Sequence, residues 1–238
     1  MSGPDYAPMT DSGGNRGPTL IAHRGFALEH PENTVGAVRG AAEAGADVVE
    51  VDARRAGSGE VVVHHDATVD RVTNGEGPVS DFSAAALADL EVLDSGEGIP
   101  QLGQVVEALP DEVGLNVELK EEGLAEDVLP LLEAVEGPVL VSSFSETALE
   151  AARAAAPEVD RALLVDRRPR TAVDRATALG CTAIHPRARL VVRSLLVRRA
   201  HDAGLAVNAW TLRSPRLARW LTRLGVDGLI ADTAAIVD

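Results

Sequence analysis

From Leu20 onward, short apolar runs of Val, Leu and Ile alternate with stretches of helical period. That alternation predicts a parallel sheet crossed by helices. The strand runs are 20–23, 48–52, 115–119, 139–143, 162–165, 182–185, 206–210 and 228–231, eight in all. Helical patterns cover 35–44, 102–109, 124–135, 146–155, 171–179, 193–203 and 216–224. Eight strand and helix units in about 220 residues predict an α/β protein of the (β/α)8 TIM-barrel type, with its active site at the strands' carboxyl ends. An open doubly wound sheet is the alternative, but no Gly-rich nucleotide loop follows the first strand.

A ninth apolar run, 60–65, follows the second strand after only a few residues around Gly57-Ser58-Gly59. A parallel crossover needs a dozen or more residues, so this run returns as an antiparallel hairpin. A turn centred near Ser58 sets His65 across from Val51, beside Glu50 and Asp52. The stretch 67–98 then departs from the barrel rhythm as a small insertion with a helix over 83–93, placed to shape the entrance. Residues 1–18, rich in Gly, Pro, Ser and Asp, read as a flexible tail preceding a barrel domain over 19–238.

Composition narrows the function. A net charge of −15, without basic clusters interleaved with aromatics, argues against nucleic-acid binding and against stable association with an anionic membrane. No apolar run reaches membrane-spanning length. The single cysteine, Cys181, opens an apolar run and reads as a buried thiol, so a cytoplasmic location is the default expectation. Of the 22 basic residues only Lys120 is lysine. Arginine does not imitate a compact ammonium in a tight polar site, so this position stands out, although one residue can also survive by chance.

The strongly polar residues fall in groups beside the strand runs: His23-Arg24-Gly25, Glu32-Asn33-Thr34, Glu50-Val51-Asp52, His64-His65-Asp66 and Glu118-Leu119-Lys120. Strand alternation points Glu50 and Asp52 to one side, and Glu118 adds a third carboxylate on an equally apolar strand. Unpaired carboxylates are costly to bury, and three hard oxygen donors suit one divalent cation, Mg²⁺ or Ca²⁺, rather than zinc. His23 and His65 end their runs and converge on the barrel mouth as candidate proton-transfer groups, while His64 faces the other way. Arg24 and Lys120 are candidate phosphate contacts, the competing reading for Arg24 being an ion pair with a nearby carboxylate. Glu32 and Asn33 stand as candidate positioning residues, and Asn33 or Thr34 caps the following helix. The few aromatics Phe26, Phe144 and Trp210 lie near strand carboxyl ends and suggest an apolar wall for the substrate.

Taken with Pro31, Ser142-Ser143-Phe144, Trp210-Thr211 and Gly225-Val226-Asp227-Gly228, these groups resemble the glycerophosphodiester phosphodiesterase family from about Leu20 to Asp232. The resemblance implies a (β/α)8 barrel and hydrolysis of a small-molecule glycerophosphodiester to glycerol 3-phosphate and an alcohol. It also implies metal binding at Glu50, Asp52 and Glu118, acid and base roles for His23 and His65, and phosphate contacts from Arg24 and Lys120. Analogy with related barrel phosphodiesterases gives His23 the base role and His65 the acid role, through a cyclic phosphate. Some positions depart from the usual pattern: His30, Gln101 and the pair Leu212-Arg213 bear on the entrance and hence on the preferred alcohol. The rivals are a lysophospholipase D-like enzyme using an apolar surface on 67–98, and a non-catalytic phosphodiester-binding protein. Nothing in the sequence defines an oligomeric state.

Overall fold

The valine-rich and leucine-rich runs form strands, and the helical patterns lie between them. The computed structural model describes residues 17–167, 169–191 and 195–237. Nearly all of the expected tail over 1–18, and the start of the helix expected over 193–203, lie outside the described residues. The strands are β1 (Thr19–His23), β2 (Val48–Arg55), β3 (Val61–Val63), β4 (Gly114–Leu119), β5 (Val139–Ser143), β6 (Asp160–Val165), β7 (Ala183–Pro186), β8 (Ala206–Leu212) and β9 (Gly228–Ala231). All but β3 run parallel, and β1 pairs with β9 on one side and β2 on the other, which closes an eight-stranded barrel. The fold is the expected (β/α)8 barrel.

The helices are α1 (Val35–Glu43), α2 (Ala84–Ala88), α3 (Leu102–Ala108), α4 (Ala125–Leu132), α5 (Glu146–Ala155), α6 (Pro169–Ala178), α7 (Ala188–Val191), α8 (Leu196–Asp202) and α9 (Pro215–Arg223). Local chemistry sets several starts. The Thr34 hydroxyl accepts from the Ala37 amide at α1, and Ser145 accepts from Ala148 at α5. Their apolar faces, such as Val38 and Ala41 of α1, pack on the outward side chains of the strands, such as Val49 and Val51. Inside the barrel's lower half, Leu140, Ala162, Ala183 and Ala206 form one buried cluster, and Ile21, Val48 and Ile230 another.

The hairpin keeps the expected register, with Ala53 opposite Val63 and Arg55 opposite Val61. The ladder ends sooner than the apolar run does. After the His64 amide donates to the Asp52 carbonyl at 2.8 Å, the His64 ring turns to the Thr68 carbonyl at 3.0 Å. The helix expected over 83–93 also stops early, at Ala88. Gly98 packs so closely there that a Cβ on it would lie 1.9 Å from the Ala88 carbonyl oxygen, and Leu93 and Asp94 take left-handed φ of 48° and 54°. The stretch 67–98 buries Val69, Val72, Val79, Leu87 and Val92 in a small core of its own with Ala56 and Val62. It contributes no wall to the cavity at the barrel mouth, so its effect on the entrance is indirect.

Candidate active site

Because alternate residues of a strand face one way, Glu50 and Asp52 of β2 and Glu118 of β4 all point into the barrel, with Asp52 opposite Glu118 in register. One oxygen from each lies within 4.8 Å of the others, and all three residues are buried. Like charges held together away from water disfavour ionisation. Burial, reinforced by the nearby Asp52 charge, pushes the Glu118 carboxyl up to about 7 and raises Glu50 as well. Burial opposes the Asp52 charge too, but Lys120 and Arg24 outweigh it and hold Asp52 well below the usual carboxylate range.

Two cations and an amide hold that arrangement. Lys120 Nζ lies 2.6 Å from Glu118 Oε1 and 2.9 Å from Asp52 Oδ1. Arg24 Nε lies 3.1 Å from Asp52 Oδ2, an ion-pair contact off the hydrogen-bond axis, and its Nη1 donates to Glu32 Oε1 at 2.8 Å. Asn33 donates its amide to Asp52 Oδ2 at 2.8 Å and accepts from the Asp52 backbone at 3.2 Å. Its φ of 61° is left-handed, a conformation asparagine tolerates better than most residues. Glu50 and Glu118 line the cavity at the barrel mouth, whereas Asp52 is fully buried behind them. The donor set fits a divalent cation: hard oxygens, surplus negative charge, and separations that two metal–oxygen bonds of about 2.1–2.6 Å can span.

Each candidate histidine has its own carboxylate. His23 Nδ1 lies 2.5 Å from Oδ1 of Asp232, which follows β9, the strand beside β1. Burial alone would lower His23, but the bond to Asp232 and the charge of Glu50 outweigh it, and the pKa is raised. His65 Nδ1 lies 2.6 Å from Asp66, and here burial prevails, so the pKa is lowered. In both rings the engaged Nδ1 leaves Nε2 for chemistry. His64, turned to Thr68, stays out of the cavity, as strand alternation predicted.

Two residues that the sequence left unmarked complete the arrangement. Asp232 is one, fully buried and bound on its other oxygen by Arg213 at 2.5 Å. Arg71 is the other. It pairs with Asp66 and donates to both oxygens of Glu32, at 2.7 and 3.0 Å, which ties the His65 carboxylate to the one that holds Arg24. Glu32 therefore belongs to a charge network and lines no part of the cavity.

The cavity measures about 240 Å³, with His23, Arg24, His65 and Lys120 facing the acidic pair. Phe144 and Trp210 form its apolar wall, edge to face at 5.7 Å between ring centroids. Trp210 is fixed by its indole N–H, which donates to the His185 carbonyl at 2.6 Å. His185 also lines the cavity, and burial pushes its pKa down to about 3, leaving the ring neutral. Phe26 does not join the wall. Arg24, Gly25 and Phe26 all take positive φ, and the turn sends the Phe26 ring into the core, where nothing of it is exposed.

A (β/α)8 barrel with buried carboxylates, two histidines and two cations at its mouth has the parts of a phosphoric diester hydrolase. The model of the Glycerophosphoryl diester phosphodiesterase family matches residues 23–236. A glycerophosphodiester phosphodiesterase of Caldanaerobacter subterraneus is 33% identical over 230 residues, spanning 90% of this chain and 93% of the relative. One from Bacillus altitudinis is 30% identical over 232 residues, spanning 90% and 94%. Among solved structures, an Oleispira antarctica phosphodiesterase in complex with the product sn-glycerol-3-phosphate superposes with a TM-score of 0.85 at 31% identity, covering 93% of this chain and 96% of that one. The Thermotoga maritima glycerophosphodiester phosphodiesterase gives 0.82 at 26% identity, covering 94% and 98%. The chain belongs to the glycerophosphoryl diester phosphodiesterase family, a family of phosphoric diester hydrolases. No helix among the described residues is long and apolar enough to cross a membrane.

Proposed function

We propose that this enzyme hydrolyses small glycerophosphodiesters to glycerol 3-phosphate and an alcohol, with one divalent cation, Mg²⁺ or Ca²⁺, held by Glu50, Asp52 and Glu118. The observation that carries the reading is the meeting, in one cavity, of that buried acidic cluster with two histidines that each have a carboxylate on Nδ1. When bound, the cation would supply positive charge beside the phosphoryl oxygens.

The chain's own residues do the rest. Arg24 and Lys120, both facing the cavity, bind the phosphate and orient it. His23 Nε2 takes the proton of the glycerol hydroxyl next to the phosphoester as that oxygen attacks phosphorus. The buried Asp232 orients the ring and stabilises the imidazolium that forms. His65 gives its proton to the departing alcohol, and water then opens the cyclic phosphate with the two roles exchanged. Asn33 and Glu32 act at one remove, by fixing Asp52 and Arg24. Phe144 and Trp210 offer an apolar wall to the organic part of the substrate. The single-chain-lipid reading is disfavoured by 67–98, whose valines and Leu87 turn into their own core and leave Leu93 as the exposed large apolar side chain of that stretch.

A panel assay of glycerophosphodiesters and lysolipids, with and without EDTA, tests the reading. Turnover of glycerophosphodiesters that EDTA abolishes and Mg²⁺ or Ca²⁺ restores is expected. Unchanged turnover in EDTA would remove the metal from the mechanism, and faster turnover of lysolipids would replace the substrate class.

A further inference from the structure

Beside Trp210 lies a second cavity of about 430 Å³ whose walls include Arg187, Arg189 and Arg213. It shares Trp210 and Thr211 with the catalytic cavity, so the two adjoin at these residues. The fold places it at the barrel mouth: Arg187 directly follows β7, Arg189 lies on α7, and Arg213 directly follows β8. All three arginines are exposed, and the Arg187 guanidinium stands 5.7 Å from the Trp210 ring centroid. No carboxylate belongs to its described walls. Two acids lie near these arginines: Asp232, fully buried, already pairs with Arg213 and His23, and Asp166 pairs with Arg167 at 3.0 Å while its carboxylate also feels the charge of Arg187. Arg187 and Arg189 form no ion pair among the described residues, which leaves a positive patch on a chain of net charge −15.

The catalytic cavity, at about 240 Å³, is smaller than sites that engulf a drug-sized ligand, which run to about 300–1,000 Å³. Once glycerol and phosphate fill it, the esterified alcohol has to extend beyond it, and the arginine-walled cavity adjoins it at Trp210 and Thr211. We propose that the arginine-walled cavity is a subsite for the leaving alcohol, and that it selects glycerophosphodiesters whose alcohol carries a further anionic group. This inference rests on the glycerophosphodiesterase reading of the neighbouring site. Guanidinium groups suit the task because each presents forked donors to phosphate or carboxylate oxygens. A positive cleft on an acidic protein also concentrates anionic substrate, and does so less at high salt.

Three substrates with one reacting half test it: glycerophosphocholine, whose alcohol is cationic; glycerophosphoglycerol, whose alcohol is neutral; and bis(glycerophospho)glycerol, whose terminal cleavage releases an anionic alcohol. The ratio of kcat/KM for the anionic over the neutral member should be roughly tenfold at low ionic strength, the scale of one charge-assisted hydrogen bond. Glycerophosphocholine should be slowest. In the double variant Arg187→Ala, Arg189→Ala the ratio should fall to about one, and in Arg187→Glu, Arg189→Glu below one. Added salt should compress the wild-type ratio. A wild-type ratio of one or less, or a ratio that survives both double variants, would overturn the subsite while leaving the glycerophosphodiesterase reading in place. Failure to cleave any of the three would overturn both. Arg213 is left out of the variants because it also holds Asp232.

Discussion

The lower and upper halves of the barrel interior are built from the same strands and differ in kind. Along β5, Leu140 precedes Ser142; along β7, Ala183 precedes His185; along β2, Val48 precedes Glu50 and Asp52. The lower residues make apolar clusters with no polar partner to satisfy. The upper ones gather three buried carboxylates, two of them pushed towards neutrality by burial and mutual repulsion. Two residues of travel along one strand thus separate a layer that holds the barrel together from a layer that opposes its own burial. The difference teaches where stability and chemistry were each placed, and it can be broken from either side.

The largest effect on activity is expected at Glu118. Glu118→Gln should abolish turnover, because a site of charged oxygen donors loses one of three. The same change should not lower the thermal stability of the metal-free protein at pH 7. The folded pKa of Glu118 is raised above its ordinary value, so its ionisation works against folding as pH rises through the window between the two, and glutamine removes that opposition. Leu140→Ala, one layer down, should do the reverse: about 2–5 kcal/mol of stability lost, with kcat/KM retained in the folded fraction. Thermal melts and kinetics on both variants check the crossing. A Glu118→Gln protein that is active, or much less stable, would dissolve the distinction between the layers.

Next in size come the histidines. His65→Ala should cost at least about a hundredfold in kcat, the scale of general acid catalysis, while His64→Ala should be mild. The reverse ranking would contradict the assignment drawn from the hairpin, where His65 faces the cavity and His64 bonds to Thr68.

Asp232→Asn tests which histidine is the base. Asp232 raises the His23 pKa, so its replacement lowers it. If His23 must be neutral to act, the acidic limb of the pH–rate profile moves to lower pH, with kcat down by roughly ten- to a hundredfold. Movement of the alkaline limb instead would give His23 the acid role.

How much of this was legible in the sequence follows from what periodicity can carry. The eight barrel strands could be read because each is a short apolar run, and the hairpin register because the turn is short. The polar groups at strand ends were legible for the same reason, since alternation fixes the side on which Glu50, Asp52 and Glu118 lie. Asp232 was not, because its bond to His23 spans 209 residues and depends on barrel closure between β1 and β9. Arg71 was hidden in an irregular segment, where no period marks a direction. Phe26 was misread because three consecutive positive φ values reverse the chain after β1, and a pattern of residue types does not encode that turn.

The smallest expected effect, and the most selective, belongs to Lys120. Its ammonium sits between Asp52 and Glu118, at 2.9 and 2.6 Å, and although burial opposes its charge, the two carboxylates raise its pKa. Lys120→Arg keeps the charge but brings a planar, bulkier group into a buried gap shaped for a point charge. A group that only balances the carboxylates should give way to another cation with turnover kept, even where its neighbours must shift to admit the larger head. A group that also reaches a phosphate oxygen should not. We expect kcat/KM to fall by roughly tenfold, about 1.4 kcal/mol of transition-state stabilisation. Kinetics on the best diester of the panel decide the case: an unchanged kcat/KM would place Lys120 with the counter-charges of the upper layer and leave Arg24 as the phosphate contact.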